Sequence, residues 1–128
     1  MAGFIETKKQ LEDSFSIINK IEPETFRIES FEQRGTENCL LVRGSDDFTS
    51  NHSVELKFHN VAYISAPIEM HYCTLSIARN EDAMPIQQML GGQPGWMVCI
   101  SMSAEGGPPF KFFILAERVE VSTEQVKY

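Results

Sequence analysis

Between Phe4 and Ile21 the apolar residues Phe4, Leu11, Phe15, Ile18 and Ile21 recur at helical spacing and form one stripe. Lys8, Lys9, Glu12, Asp13 and Lys20 fall largely on the other side. The pattern predicts an amphipathic helix over residues 4–21. Pro23 stops it, because the residue before a proline is pushed out of the helical region. Such a helix is marginal in water on propensity alone, so its stripe has to rest on an apolar surface.

After Pro23 the period drops to two. Phe26-Arg27-Ile28-Glu29 alternates, and Ser30-Phe31 breaks the phase. Cys39-Leu40-Leu41-Val42 is a short apolar run, and Gly44 to Asn51 reads as a polar loop. Val54 to His59 is the clearest strand, apolar and polar by turns, and Asn60 flips its register. From Ile68 to Ala78 both parities carry apolar residues, which predicts a strand covered on both faces. Glu81, Asp82 and Pro85 open a short helix over residues 85–90, which Gly91-Gly92 closes. Trp96 to Ser103 alternates again. Phe110 begins the last long strand, and Val119-Glu120-Val121 resumes on the opposite parity, so a bulge is expected near residues 116–118. The polar tail, residues 122–128, is expected to fray.

About six strands joined by short turns, with no βαβ alternation, point to an antiparallel sheet. The fold class read from the pattern is α+β, mainly β: an antiparallel β-sandwich or partly open barrel with one N-terminal amphipathic helix across a face or an end. One domain over residues 1–128 is expected, with the helix at 4–21, the β region at 25–121 and the tail beyond it.

Charge narrows the partners. Eleven Lys and Arg against eighteen Asp and Glu leave a net −7, spread evenly with no basic stripe. Nucleic acid and anionic membrane surfaces are poor partners for such a chain, since both require clustered cations. A basic protein partner is attracted by the same field. No apolar run approaches the ~20 residues needed to span a bilayer. The opening Met1 to Glu6 lacks the features of a secretion signal. Three cysteines, Cys39, Cys73 and Cys99, are an odd count without a CxxC. They fit reduced thiols in a cytoplasmic protein better than a disulfide framework or a zinc ribbon.

Candidate chemistry is sparse. In a regular strand over residues 68–78, Glu69, His71 and Cys73 share a face. An imidazole beside a thiol can lower its pKa and make it a nucleophile, and the trio has the atoms to ligate zinc. Leu75 and Ile77 continue that face, however, which favours histidine and cysteine as core filling. No metal site and no cofactor are therefore assigned. His52 and His59 are isolated in the sequence, and His59 is expected on the solvated side. Asp46 to Asn51 is rich in oxygen but lacks the spacing of a calcium loop. No phosphate-binding glycine loop, nucleophile elbow or HExxH is present.

The methionines carry a different signal. From Asn80 to Phe110 there is no Lys or Arg, and this stretch holds Met84, Ile86, Met89, Leu90, Trp96 and Met97. Methionine adapts and tryptophan anchors, so these six are the candidate binding residues. The functional expectation is a non-enzymatic soluble module that binds another protein, either a partner chain or a second copy. One specific form is an acidic inhibitor or immunity-type protein that neutralises a basic partner. The alternatives are a barrel that takes a small ligand and a thiol enzyme using Cys73 and His71.

Overall fold

The computed structural model describes residues 3–128. The first two residues, part of the stretch read above for a secretion signal, lie outside the described residues. The elements in chain order are β1 (Gly3–Phe4), α1 (Lys8–Ile21), β2 (Thr25–Arg34), β3 (Glu37–Ser45), β4 (Asn51–His52), β5 (Val54–Ser65) and β6 (Glu69–His71). They continue with β7 (Cys73–Ile77), α2 (Asn80–Met89), β8 (Trp96–Met102), β9 (Phe110–Ser122) and β10 (Val126–Lys127).

The helix begins four residues later than its stripe suggests. Thr7 forms a capping box with Gln10: the Thr7 hydroxyl accepts from the Gln10 N–H, and the Gln10 carboxamide accepts from Thr7 N–H. Phe4, at a helical interval by coincidence, instead pairs in β1 with Glu120 of β9. At the other end Glu22 takes a left-handed backbone, φ 51°, and closes α1 before Pro23.

The sheet is antiparallel throughout, with strand order β6-β2-β3-β5-β9-β8-β7 and β1 added beside β9. The two ends of this order, β6 and β7, are consecutive in the chain and separated only by Tyr72. Two Cα steps span at most ~7 Å. The sheet must therefore curl until its edges nearly meet, which makes it a half-barrel rather than a sandwich.

The concave side holds the main core. Leu11, Phe15 and Ile18 of α1 pack there against Phe26, Leu40, Val42, Leu56, Phe58, Met70, Leu75, Ile100 and Ile114. A smaller core lies on the convex side, where α2 sets Ala83, Ile86 and Leu90 against Met97, Cys99, Phe113 and Leu115. This second helix starts at Asn80, earlier than expected, and carries Pro85 inside it. Proline has no N–H to give the carbonyl one turn back, so the helix runs through Pro85 with one bond fewer.

Asn60 does invert the pleat. It sits at φ 55°, so Phe58 and Val61, three residues apart, both face the core. On β9, Ala116 and Val119 invert in step opposite them. Asn38 locks the inversion: its carboxamide oxygen accepts from Val61 N–H at 2.7 Å and its amide donates to the Val61 carbonyl. The register shift itself lies between Val61 and Tyr63 of β5, facing the Leu115–Ala116 end of the bulge region.

The tail does not fray. β10 pairs with β4, and the Tyr128 hydroxyl lies 2.7 Å from Nδ1 of the buried His52. Burial, aided by Arg43, holds the His52 pKa below its ordinary value.

Candidate functional site

The kink at Tyr72 decides the fate of the thiol candidates. Tyr72 has φ 53°, which reverses the alternation between β6 and β7. Met70, Cys73 and Leu75 consequently face the core, while Glu69 and His71 face solvent. Glu69 is held by Arg27 at 3.0 Å, and Nδ1 of His71 meets the Thr25 hydroxyl at 3.0 Å. Cys73 donates to the His71 carbonyl rather than to its ring. The expected shared face is therefore not formed. Burial pushes the Cys73 thiol up to about 11, so it is protonated at neutral pH and a weak nucleophile.

That shift has a measurable sign. The folded state holds the Cys73 proton more tightly than the unfolded chain, whose thiol titrates near its ordinary 9.0. Its contribution is intact below pH 9 and is lost as the pH climbs toward 11. Urea midpoints of the wild type should fall more steeply over this window than those of Cys73→Ala. Parallel curves would mean that the thiol is not desolvated.

The six methionine-segment residues are divided. Met97 is core, Trp96 is half-buried against the main core, and Ile86 and Leu90 pack under α2. Only Met84 and Met89 project into solvent. Five positions apart on one helix, they point in different directions and make no continuous patch.

The concave interior is filled by large side chains, with Phe26, Phe58, Leu11, Ile18 and Met70 fully buried. A groove of about 670 Å³ lies outside it, between α1 and β7. Ser16 and Glu12 form one wall, Ile77 and Ala78 the other, and Lys8, Lys20 and Arg79 also line it.

β7 is hydrogen-bonded along one side only, to β8. Ala78 N–H donates to the Met97 carbonyl, so the even-numbered residues of this register face β8. Odd-numbered residues face away. At Leu75 the outward groups are satisfied by one side chain: its N–H donates to Asn19 Oδ1 at 2.9 Å, and its carbonyl accepts from Asn19 Nδ2 at 3.0 Å. The Asn19 carboxamide thus does what a residue of a neighbouring strand does. By the same alternation Ile77 presents its N–H and C=O to the groove, and no partner for them is found among the described residues.

Asn19→Ala removes both bonds at Leu75. Groove water can replace them in part, so a loss of about 1–2 kcal/mol is expected. Chemical denaturation measures it, and a change below about 0.5 kcal/mol, the range of neutral surface changes, would show the pair to be idle.

A second constellation lies on the convex face, in a depression of about 360 Å³. Cys39 and His59 are directly opposed partners on β3 and β5. Around them run Glu55, Lys57 and Glu120, with Lys57 Nζ 3.7 Å from both carboxylates and His59 Nε2 3.9 Å from Glu120. Phe4 covers His59 at 5.3 Å between ring centroids, and its ring also meets the Arg118 guanidinium. His59 is therefore part of a half-buried charged array, not a solvated histidine. The Cys39 thiol is shifted upward, chiefly by burial and against the pull of Lys57. No hydrogen bond joins this thiol to the imidazole among the described residues. Among the described residues no group of three or more His, Cys, Asp and Glu side chains is placed to hold a metal ion.

No family model, curated protein or solved structure matches this chain.

The groove residues escape sequence reasoning because what distinguishes them lies in the backbone. Which parity of β7 faces outward depends on its pairing with β8, some 25 residues away. Asn19 shares its flank of the helix with the polar Glu12 and Ser16, so nothing in the letters sets it apart.

Proposed function

We propose that this protein is a non-catalytic module that binds another protein chain, and that the α1–β7 groove is where it does so. The observation that carries the reading is the outer edge of β7, with open main-chain groups at Ile77 beside a groove. Natural sheets cover, charge or distort such edges, because an open one is a template for a further strand. Addition of an extended segment to a sheet edge is a standard mode of peptide recognition. The packed interior favours this reading over a ligand inside the barrel. The buried, protonated Cys73, with His71 on the opposite face, favours it over thiol catalysis. No helix among the described residues is long and apolar enough to cross a membrane.

A photo-cross-linking amino acid placed at Ser16, in the groove wall, tests the proposal in cells. The same probe at Ser30, on the convex side, serves as control. The expected result is a protein adduct of defined mass at Ser16 and none at Ser30. Equal labelling at both positions, or none at either, would overturn the reading.

A further inference from the structure

The charge at the Ile77 end of the β7 edge is opposite to that of the whole molecule, whereas past Asn19, at the Cys73 end, Glu22, Glu24 and Asp46 line a separate depression. The chain carries net −7, yet the groove is lined by three cations, Lys8, Lys20 and Arg79, against the single carboxylate of Glu12. Arg79 is shared with Glu81 at 2.9 Å. Lys8 and Lys20 form no ion pair among the described residues and stand on the same helix wall, near its two ends. The opposite wall supplies Arg79, engaged by Glu81, beside the apolar Ile77 and Ala78 and the main-chain N–H and C=O of Ile77.

We infer that the occupant of the groove is an extended, acidic polypeptide segment, added as a strand at the outer edge of β7 with its carboxylates facing α1. The inference rests on the groove reading above and deepens it by naming the chemistry of the partner. A residue opposite Ile77 exchanges two main-chain bonds with it, as a ladder residue does. Side chains of an added strand alternate between two sides. One set lies on the concave side, where Ile77 packs and where Lys8 and Lys20 of α1 favour acidic groups, and the other lies on the convex side. Continuing the ladder to Leu75 requires the incoming backbone to replace the Asn19 carboxamide bond for bond. The acidic field of the rest of the molecule slows the approach of such a segment, and the groove holds it once docked. A second copy of this chain is the less favoured occupant, because its approach sets two net-negative bodies against each other.

A random 12-residue peptide library displayed on phage and selected against the full chain tests this directly. Enriched peptides should carry acidic residues at alternate positions. The most enriched one, made synthetically and labelled, is then titrated against wild type and Lys8→Glu/Lys20→Glu by fluorescence anisotropy. The double variant changes exposed side chains only, so it should melt as the wild type does, and it should bind at least tenfold more weakly. N-methylating alternate backbone nitrogens of the peptide should also weaken binding at least tenfold in one of the two phases and not in the other, as strand pairing requires. The Ile77 amide resonance should shift on binding.

Enrichment of neutral or basic sequences that still shift Ile77 would overturn the acidic assignment and leave the groove reading standing. Equal sensitivity to both N-methylation phases would overturn strand addition. Concentration-dependent self-association that shifts Ile77 would make a second copy the occupant and overturn the inference. An absence of enriched peptides, together with an absence of adducts at Ser16, would sink the inference and the groove reading together.

Discussion

Phe15→Ala is expected to lower the stability of the domain by about 3–5 kcal/mol. Phe15 is 2% exposed and lies at the centre of the α1 stripe, between Leu11 and Ile18, both fully buried. These three side chains fill the concave space left by a sheet that curls without closing. An open half-barrel has no second sheet to supply the missing atoms, so truncation leaves a cavity bounded by rigid strands. Such cavities collapse poorly, because the strands around them are fixed by their own ladders. For a chain of this size the loss corresponds to roughly 10–20 °C in Tm. The effect reaches the groove as well, since α1 forms one of its walls. Thermal and urea unfolding of the variant measure the first consequence, and the anisotropy titration measures the second. A loss below about 1 kcal/mol would mean that the helix is not seated in the sheet. Ile17→Ala on the exposed flank of the same helix is the control and should change little, as Ile17 keeps half its surface in water.

Much of this architecture is legible in the chain, and the reason differs from element to element. Leu11, Phe15 and Ile18 announce their burial because a helix that packs on one side has to repeat its apolar residues at helical spacing. Both ends depart from the stripe: Phe4 matches the spacing by chance while Thr7 and Gln10 make the local cap, and Ile21 in the last turn is exposed. The strand at Val54–His59 and the inversion at Asn60 are readable together. The alternation stops there, and asparagine is among the few residues that tolerate a left-handed backbone. Tyr72 adopts the same backbone conformation, and tyrosine gives no such warning. That single residue divides residues 68–78 into two strands on opposite ends of the sheet. It also separates His71 from Cys73, which i, i+2 spacing alone would place on one face. Pairings between distant strands are beyond reach for a different reason. Cys39 opposite His59, and the outward parity of Ile77, are set by register, and register is fixed by the assembled core rather than by any local run of residues. The candidate site belongs wholly to this second kind of information. Its lining residues are visible as letters, but the open main-chain groups that make it a site have no letter at all.

Gly95→Ala should be as damaging as the loss of Phe15, for a reason that involves no buried side chain. Gly95 lies just before β8, at φ 140°, in a region that residues with a Cβ rarely enter. An added Cβ would sit 2.4 Å from the Ala116 carbonyl oxygen and 2.9 Å from its carbon. Those atoms are backbone, and they lie where β9 inverts its pleat opposite Asn60. Neither neighbour can rotate away as a side chain would. The strain of the dihedral is worth about 1–3 kcal/mol and the overlap a similar amount, so a total near about 3–5 kcal/mol is expected. Gly107→Ala isolates the cause: nothing lies within 4 Å of its Cβ position and its φ is not in the restricted region, so it should stay within about 0.5 kcal/mol of wild type. If Gly95→Ala destabilises, the pairing of Trp96 with Ala116 should be the first to open, and with it the anchor that seats β8 against β9. Hydrogen exchange would then be faster at Trp96 and Met97 than at Ile100. Because β8 is the strand that holds β7 in the sheet, the open edge at Ile77 depends on this anchor too. Gly95→Ala is therefore expected to weaken peptide binding in step with its loss of exchange protection, whereas Gly107→Ala should leave both unchanged.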